Sequence, residues 1–150
     1  MSIAAYPTFT LQQRQQQAGS HYLEMEISTA DSLNLVLILY RGAIQNLKRS
    51  LECFSSGCIE GRIEAINKAG AMIGELHSTL DFERGQQIAA SLDRLYAYIQ
   101  RRLLEANLQR DPSAVEEVIK LLAMLESAWE EIQAGSAQHY LDGERVELSA

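Results

Sequence analysis

Four runs of apolar residues at helical spacing constrain this chain more than any other feature. The first is Val36, Leu39, Tyr40, Ala43, Leu47 and Leu51, and the second is Ile59, Ile63, Ile66, Gly70, Ile73, Leu76 and Leu80. The third is Ile88, Leu92, Leu95, Ile99 and Leu103, and the fourth is Val115, Val118, Leu122, Leu125 and Trp129. Recurrence every three or four residues puts each set on one face of an α-helix. Helices are therefore predicted over residues 32–55, 58–79 and 86–109, and from Pro112 to Ile132 before Gly135. The connections are short. Ser-Ser-Gly ends the first helix at 55–57, and LDFERGQQ at 80–87 reads as a turn. Asp111 can cap the fourth helix, and Pro112 suits its first position, where a missing N–H is not needed. Helices of this length, about 30 Å each and joined this closely, specify an all-α fold, an antiparallel four-helix bundle.

The flanks differ. Residues 1–21 read as a disordered or loosely attached extension, because QQRQQQ is of low complexity and Pro7 and Gly19 break any period. In HYLEMEI, Leu23, Met25 and Ile27 alternate with Glu24 and Glu26, an extended pattern. Ser28, Thr29, Asp31 and Ser32 then offer caps for the first helix. The bundle is expected over 22–135. The tail, 136–150, carries the turn signal Asp142-Gly143 and no assigned structure.

Charge excludes several functions. The net charge of −7 opposes nucleic acid, whose phosphates need a Lys/Arg surface, and opposes anionic membranes. No apolar run reaches the roughly 20 residues that membrane insertion requires. The start, MSIAAYPTFT, lacks a basic segment followed by an apolar one, so a cytosolic protein is expected. Cys53 and Cys58, five apart, fit neither CxxC nor a zinc-knuckle spacing and read as reduced thiols near a helix end.

Catalytic and cofactor chemistry finds no footing in the sequence. A di-iron bundle needs Glu three residues before an inward His, yet Ala18, Gly74 and Ser136 precede His21, His77 and His139 at that spacing. A phosphotransfer helix would carry an exposed His in its middle, whereas His77 falls at a helix end and is followed by Ser-Thr-Leu-Asp. Phosphate-binding glycine motifs are absent. Glu130 and Glu131 are adjacent, so on a helix they diverge. The expectation is a protein that is not an enzyme, with no catalytic residue, no cofactor and no metal.

What remains is surplus hydrophobicity. LNLVLILY at 33–40 has seven apolar or aromatic residues in eight. A core stripe takes Val36, Leu39 and Tyr40 and leaves Leu35, Leu37 and Ile38 on flanking sides. Tyr96 and Tyr98, two apart, cannot share one helix face, and a tyrosine suits a groove because its ring is apolar and its hydroxyl can stay wet. Periodicity alone leaves a groove and a homodimer seam equally open.

The ordered set of residues adds to this. Tyr22, Ile27 and Ala30 precede LVLILYRGA at 35–43. Lys68, Ala69, Ile73, Leu76, Leu80 and Asp81 follow, then Leu92, Leu95, Tyr96, Tyr98, Arg101, Leu103, Glu105, Ala106 and Asn107, and last Glu117, Val118, Leu122, Ala128 and Trp129. In that order, over residues 22–133, they resemble the FliS family of flagellar export chaperones. Departures from the family pattern are a missing proline at 30–32, Ile38 in place of a methionine, Arg41 at an Asp/Asn-like position, Ser91 at an Asn-like one, Gln86 where a second glycine often stands, and a long extension before Tyr22. The resemblance implies a cytosolic bundle that binds the disordered C-terminal segment of flagellin, keeps it unpolymerised and delivers it to the export gate with client bound. The flagellin-binding groove is then assigned to Leu35, Leu37, Ile38 and Tyr40 of the first helix and Leu92, Tyr96 and Tyr98 of the third. Tyr22, Leu23, Met25 and Ile27 are assigned to a plug over that groove or a brace for the first helix. The alternative reading is a dimeric bundle acting as a scaffold or regulator without a secretion client.

Overall fold

A computed structural model of the chain describes the backbone of residues 21–149 and the side chains of residues 31–138. Four helices follow in order: α1 (His21–Ser56), α2 (Ile59–Ser78), α3 (Phe82–Gln109) and α4 (Pro112–Ser149). Among the described residues there is no strand. Helix α1 packs on α2 and α4, and α3 packs on the same two, which closes a four-helix ring. Neighbours run antiparallel. Arg41 meets Glu126 and Asn34 meets Gln133 across α1 and α4, while Gln100 meets Gly70 and Asp93 meets His77 across α2 and α3.

The inner connections match the sequence signals. Asp81 caps α3, its carboxylate accepting from the N–H of Glu83 and of Arg84 at 3.1 Å. Asp111 accepts from the N–H and the hydroxyl of Ser113, and α4 begins at Pro112. These hydrogen bonds, the Ser113 hydroxyl first, hold the Asp111 carboxyl below its ordinary value. The turn expected over 80–87 survives as a break inside α3, where Gln86 has φ 45° and ψ −114°.

The outer ends differ from expectation. HYLEMEI is helical, not extended, and α1 continues through it without a break. Leu, Met and Glu are strong helix formers, and no glycine or proline stands between residues 21 and 41, so propensity overrides a seven-residue alternation. Ser28 to Ser32 therefore lie inside the helix instead of starting it. Helix α4 runs past Gly135 to Ser149. Gly135 and Gly143, the latter in the expected turn, each cost a helix only about 1 kcal/mol relative to alanine, and no proline follows to end it. The side chains of Tyr22, Leu23, Met25 and Ile27, and all of residues 1–20, lie outside the described residues.

The core is one continuous cluster. Tyr40, Leu47, Ile73, Leu76, Tyr96, Ile99, Val115, Val118 and Leu122 are fully buried in it, with Trp129 close to fully buried. Glycine admits close approaches between helices at Gly42 and Gly70. A Cβ on Gly42 would lie 2.8 Å from the Met72 sulphur, and one on Gly70 would lie 3.2 Å from Gln100 Oε1.

Candidate functional site

On α1 the core stripe is wider than the spacing suggests. Leu33, Val36, Leu37, Tyr40, Ala43, Ile44 and Leu47 are all buried. A helix wedged between two neighbours buries an arc wide enough for adjacent positions such as 36 and 37. Leu37, expected on a flank, is only 1% exposed and belongs to the core. Leu35 at 45% and Ile38 at 61% do face outward. Leu39, expected in the core stripe, is partly buried against it. Arg41, the departure from the family pattern, is explained by α4: its Nε donates to Glu126 at 3.1 Å and its Nη2 to Glu130 at 3.0 Å.

The aromatic half of the expected groove resolves into structure. Tyr40 and Tyr96 are completely buried, and their hydroxyls share a hydrogen bond across the bundle centre. A buried phenol needs a partner, and each supplies the other's. His77 supports the same region, its ring 5.8 Å from that of Tyr96 and its Nε2 2.6 Å from Asp93 Oδ1. Leu92 is buried beside them. Tyr98 is half-buried and donates to Glu117 on α4, while Arg101 lies 5.7 Å over its ring. Arg102 also binds Glu117, at 3.0 Å, and Glu105, at 2.6 Å. The Tyr98 hydroxyl and then Arg102 hold the Glu117 carboxyl below the usual range, and Glu117 in turn pushes the Tyr98 hydroxyl up. Tyr98 is a clamp between α3 and α4.

Of the seven groove residues, then, Leu37, Tyr40, Leu92 and Tyr96 are core in the free protein. Leu35, Ile38 and Tyr98 reach the surface. Other apolar side chains do so as well. Ile59 and Ile63 lie one turn apart on α2, and Leu104 and Leu108 one turn apart on α3, with Phe82, Ile88 and Met124 elsewhere. Ile59, Ile63 and Ile88 were expected inside. On α2 the inner positions go instead to Arg62, Ala65, Ile66, Ala69, Ile73 and Leu76. The alanines let neighbouring helices approach and displace the larger isoleucines outward. The spacing of Ala65 and Ala69, one turn apart beside Ile66 and Ile73, is the signal that could have shown this.

Among the described residues no helix is long and apolar enough to cross a membrane, and no group of three or more His, Cys, Asp or Glu side chains could hold a metal ion.

Comparison with known proteins bears on this arrangement. The sequence matches the family described as flagellar protein FliS over residues 14–136. The flagellar secretion chaperone FliSB of Pseudomonas aeruginosa is 36% identical over 110 residues, covering 73% of this chain and 87% of that protein. The flagellar secretion chaperone FliS of Salmonella typhimurium is 38% identical over 111 residues, covering 73% and 82%. That of Vibrio cholerae is 32% identical over 110 residues, covering 73% and 81%. The matched stretch takes in the bundle from α1 to the middle of α4, and on that ground the chain belongs to the FliS family.

Proposed function

We propose that this protein is a cytosolic flagellar secretion chaperone whose client is the disordered C-terminal segment of flagellin. It holds flagellin unpolymerised and presents the loaded complex to the export gate. The observation that carries the reading, beside family membership, is the apolar surface left outside a saturated core. Leu35 and Ile38 on α1, Ile59 and Ile63 on α2, and Leu104 and Leu108 on α3 are exposed, each pair one turn apart on its helix. Such pairs on three helices suit a chain that wraps and orders as it binds, and suit a compact partner poorly. Ordering costs a disordered segment about 2–5 kcal/mol, which keeps an extensive interface releasable. No bond is made or broken, and no catalytic group is required.

The binding surface is accordingly assigned to these pairs, Leu35 and Ile38 among them, with Tyr98 as a further contact where α3 meets α4. Leu37, Tyr40, Leu92 and Tyr96 support it from below by fixing the helices that carry it. For Tyr22, Leu23, Met25 and Ile27 the plug role predicts that deleting residues 1–27 tightens flagellin binding. Unchanged or weaker binding by a folded truncation assigns the segment to bracing or to the client site.

Co-elution tests the function. Full-length flagellin mixed with the protein should elute from a sizing column as a one-to-one complex, and flagellin lacking its C-terminal segment should elute separately. Retention of both forms, or of neither, contradicts the proposal.

A further inference from the structure

The corner between α1 and α2 is formed by CFSSGC at 53–58. Helix α1 ends on Ser56, and Gly57 takes φ 75°, a left-handed conformation that glycine adopts without strain. The Cys58 N–H then donates to the Cys53 carbonyl at 3.0 Å. A six-to-one bond after a left-handed glycine is the Schellman closure, and it commonly brings the first and sixth side chains into contact. Usually that contact is hydrophobic. Here both residues are cysteines.

Helix α2 leaves room for them. A Cβ on Gly61 would lie 2.9 Å from the Cys53 sulphur and 2.9 Å from the Cys58 sulphur. The two sulphurs thus converge on the space that a side chain at 61 would fill. Both cysteines are free, with Cys58 exposed and Cys53 half-buried. Burial, and next the adjacent Cys58, push the Cys53 thiol up.

We propose that Cys53 and Cys58 are a redox-active dithiol that closes to an intramolecular disulfide by exchange with a low-molecular-weight disulfide. Cys58, the accessible sulphur, attacks first as its thiolate. A bond forms between Cys58 Sγ and one sulphur of the small disulfide, the small molecule's S–S bond breaks, and one small thiolate leaves. Cys53 then gives its proton to solvent and its sulphur attacks Cys58 Sγ. The mixed disulfide breaks and the second small thiolate leaves. Two cysteine thiols are oxidised and one external disulfide is reduced to two thiols. The product staples the last turn of α1 to the N-cap of α2, beside the Phe54 ring that Arg62 covers at 5.1 Å. This site is independent of the client reading.

The test equilibrates the full chain in buffers of stepped reduced-to-oxidised glutathione ratio, followed by acid quench, alkylation, trypsin and mass spectrometry. Arg49 and Arg62 bound a single tryptic peptide that contains both cysteines. As the buffer becomes more oxidising, that peptide should pass from doubly alkylated to a form short of two hydrogens and carrying no adduct. Cys53→Ser should trap one glutathione on Cys58, and Cys58→Ser should react at least about tenfold more slowly. Gly61→Ala, which sets a methyl where the sulphurs meet, should lower the closure constant by about tenfold or more, with the circular dichroism unchanged. Glutathione accumulating without ring closure, links only between two molecules, or undiminished closure in a folded Gly61→Ala would each overturn the proposal and leave the pair as packing at a helix end.

Discussion

Two adjacent residues of α1 should respond to substitution in opposite ways. Leu37 is 1% exposed and Ile38 is 61% exposed. Leu37→Ala removes packed methyl groups and leaves a cavity, at a cost of about 2–5 kcal/mol. That is a large share of the ~5–15 kcal/mol expected for a whole domain. Ile38→Ala disturbs little in the free protein. A fully buried isoleucine side chain is worth about 1.5–3 kcal/mol, so the exposed part of Ile38 leaves about 1–2 kcal/mol for a client to gain. Alanine keeps some of that contact, so affinity should fall by about five- to tenfold. Ile38→Asp adds the desolvation of a carboxylate and should weaken binding by about a hundredfold or more. Thermal melts followed by circular dichroism give the first effect, and calorimetric titration with flagellin's C-terminal peptide gives the second. The reasoning fails if Leu37→Ala melts like the wild type. It fails equally if folded Ile38→Asp binds with full affinity, because the client would then not cover this part of α1.

Other perturbations probe separate parts of the account. Trp129, buried against the core, should give blue-shifted emission, and Trp129→Ala should destabilise by about 3–5 kcal/mol with client affinity of the folded fraction unchanged. Gln86 holds a backbone conformation reserved largely for glycine, so Gln86→Gly should stabilise by about 1 kcal/mol, read as a melting point higher by about 2–4 °C. Glu117 has a folded pKa below its ordinary value of 4.5, so its stabilising effect is present above that value and is lost as pH falls through the depressed one. Acid unfolding should therefore show a steeper loss below pH 4.5 in the wild type than in Glu117→Gln, and parallel curves would remove the Tyr98–Glu117–Arg102 clamp.

The number and order of helices were legible because a 3.6-residue period persists over each, and because Asp111-Pro112 is a strong physical boundary. The outer ends were not. Serine, threonine and aspartate can cap a helix or sit within one, and neighbours decide which, so Ser28 to Ser32 and Gly135 misled. The site was legible only in part. Whether Leu37 or Ile38 is covered depends on how far apart α2 and α4 stand, which no local pattern records. The Tyr40–Tyr96 hydrogen bond joins residues 56 positions apart, and the sequence shows only two tyrosines near apolar stripes. Ala65 and Ala69 hold inner positions on α2 while the bulkier Ile59 and Ile63 face out, an order that hydrophobic size alone does not indicate. The chaperone reading came from the ordered set of residues shared with a family, because a bundle by itself serves many functions.

Calorimetric titration of flagellin's C-terminal segment into the full-length protein at several temperatures tests the central claim most directly. The account predicts saturable binding at one segment per chain, with a negative heat-capacity change from burying the exposed apolar pairs and ordering the segment. Absence of saturable heat, or binding with no heat-capacity change, would contradict it.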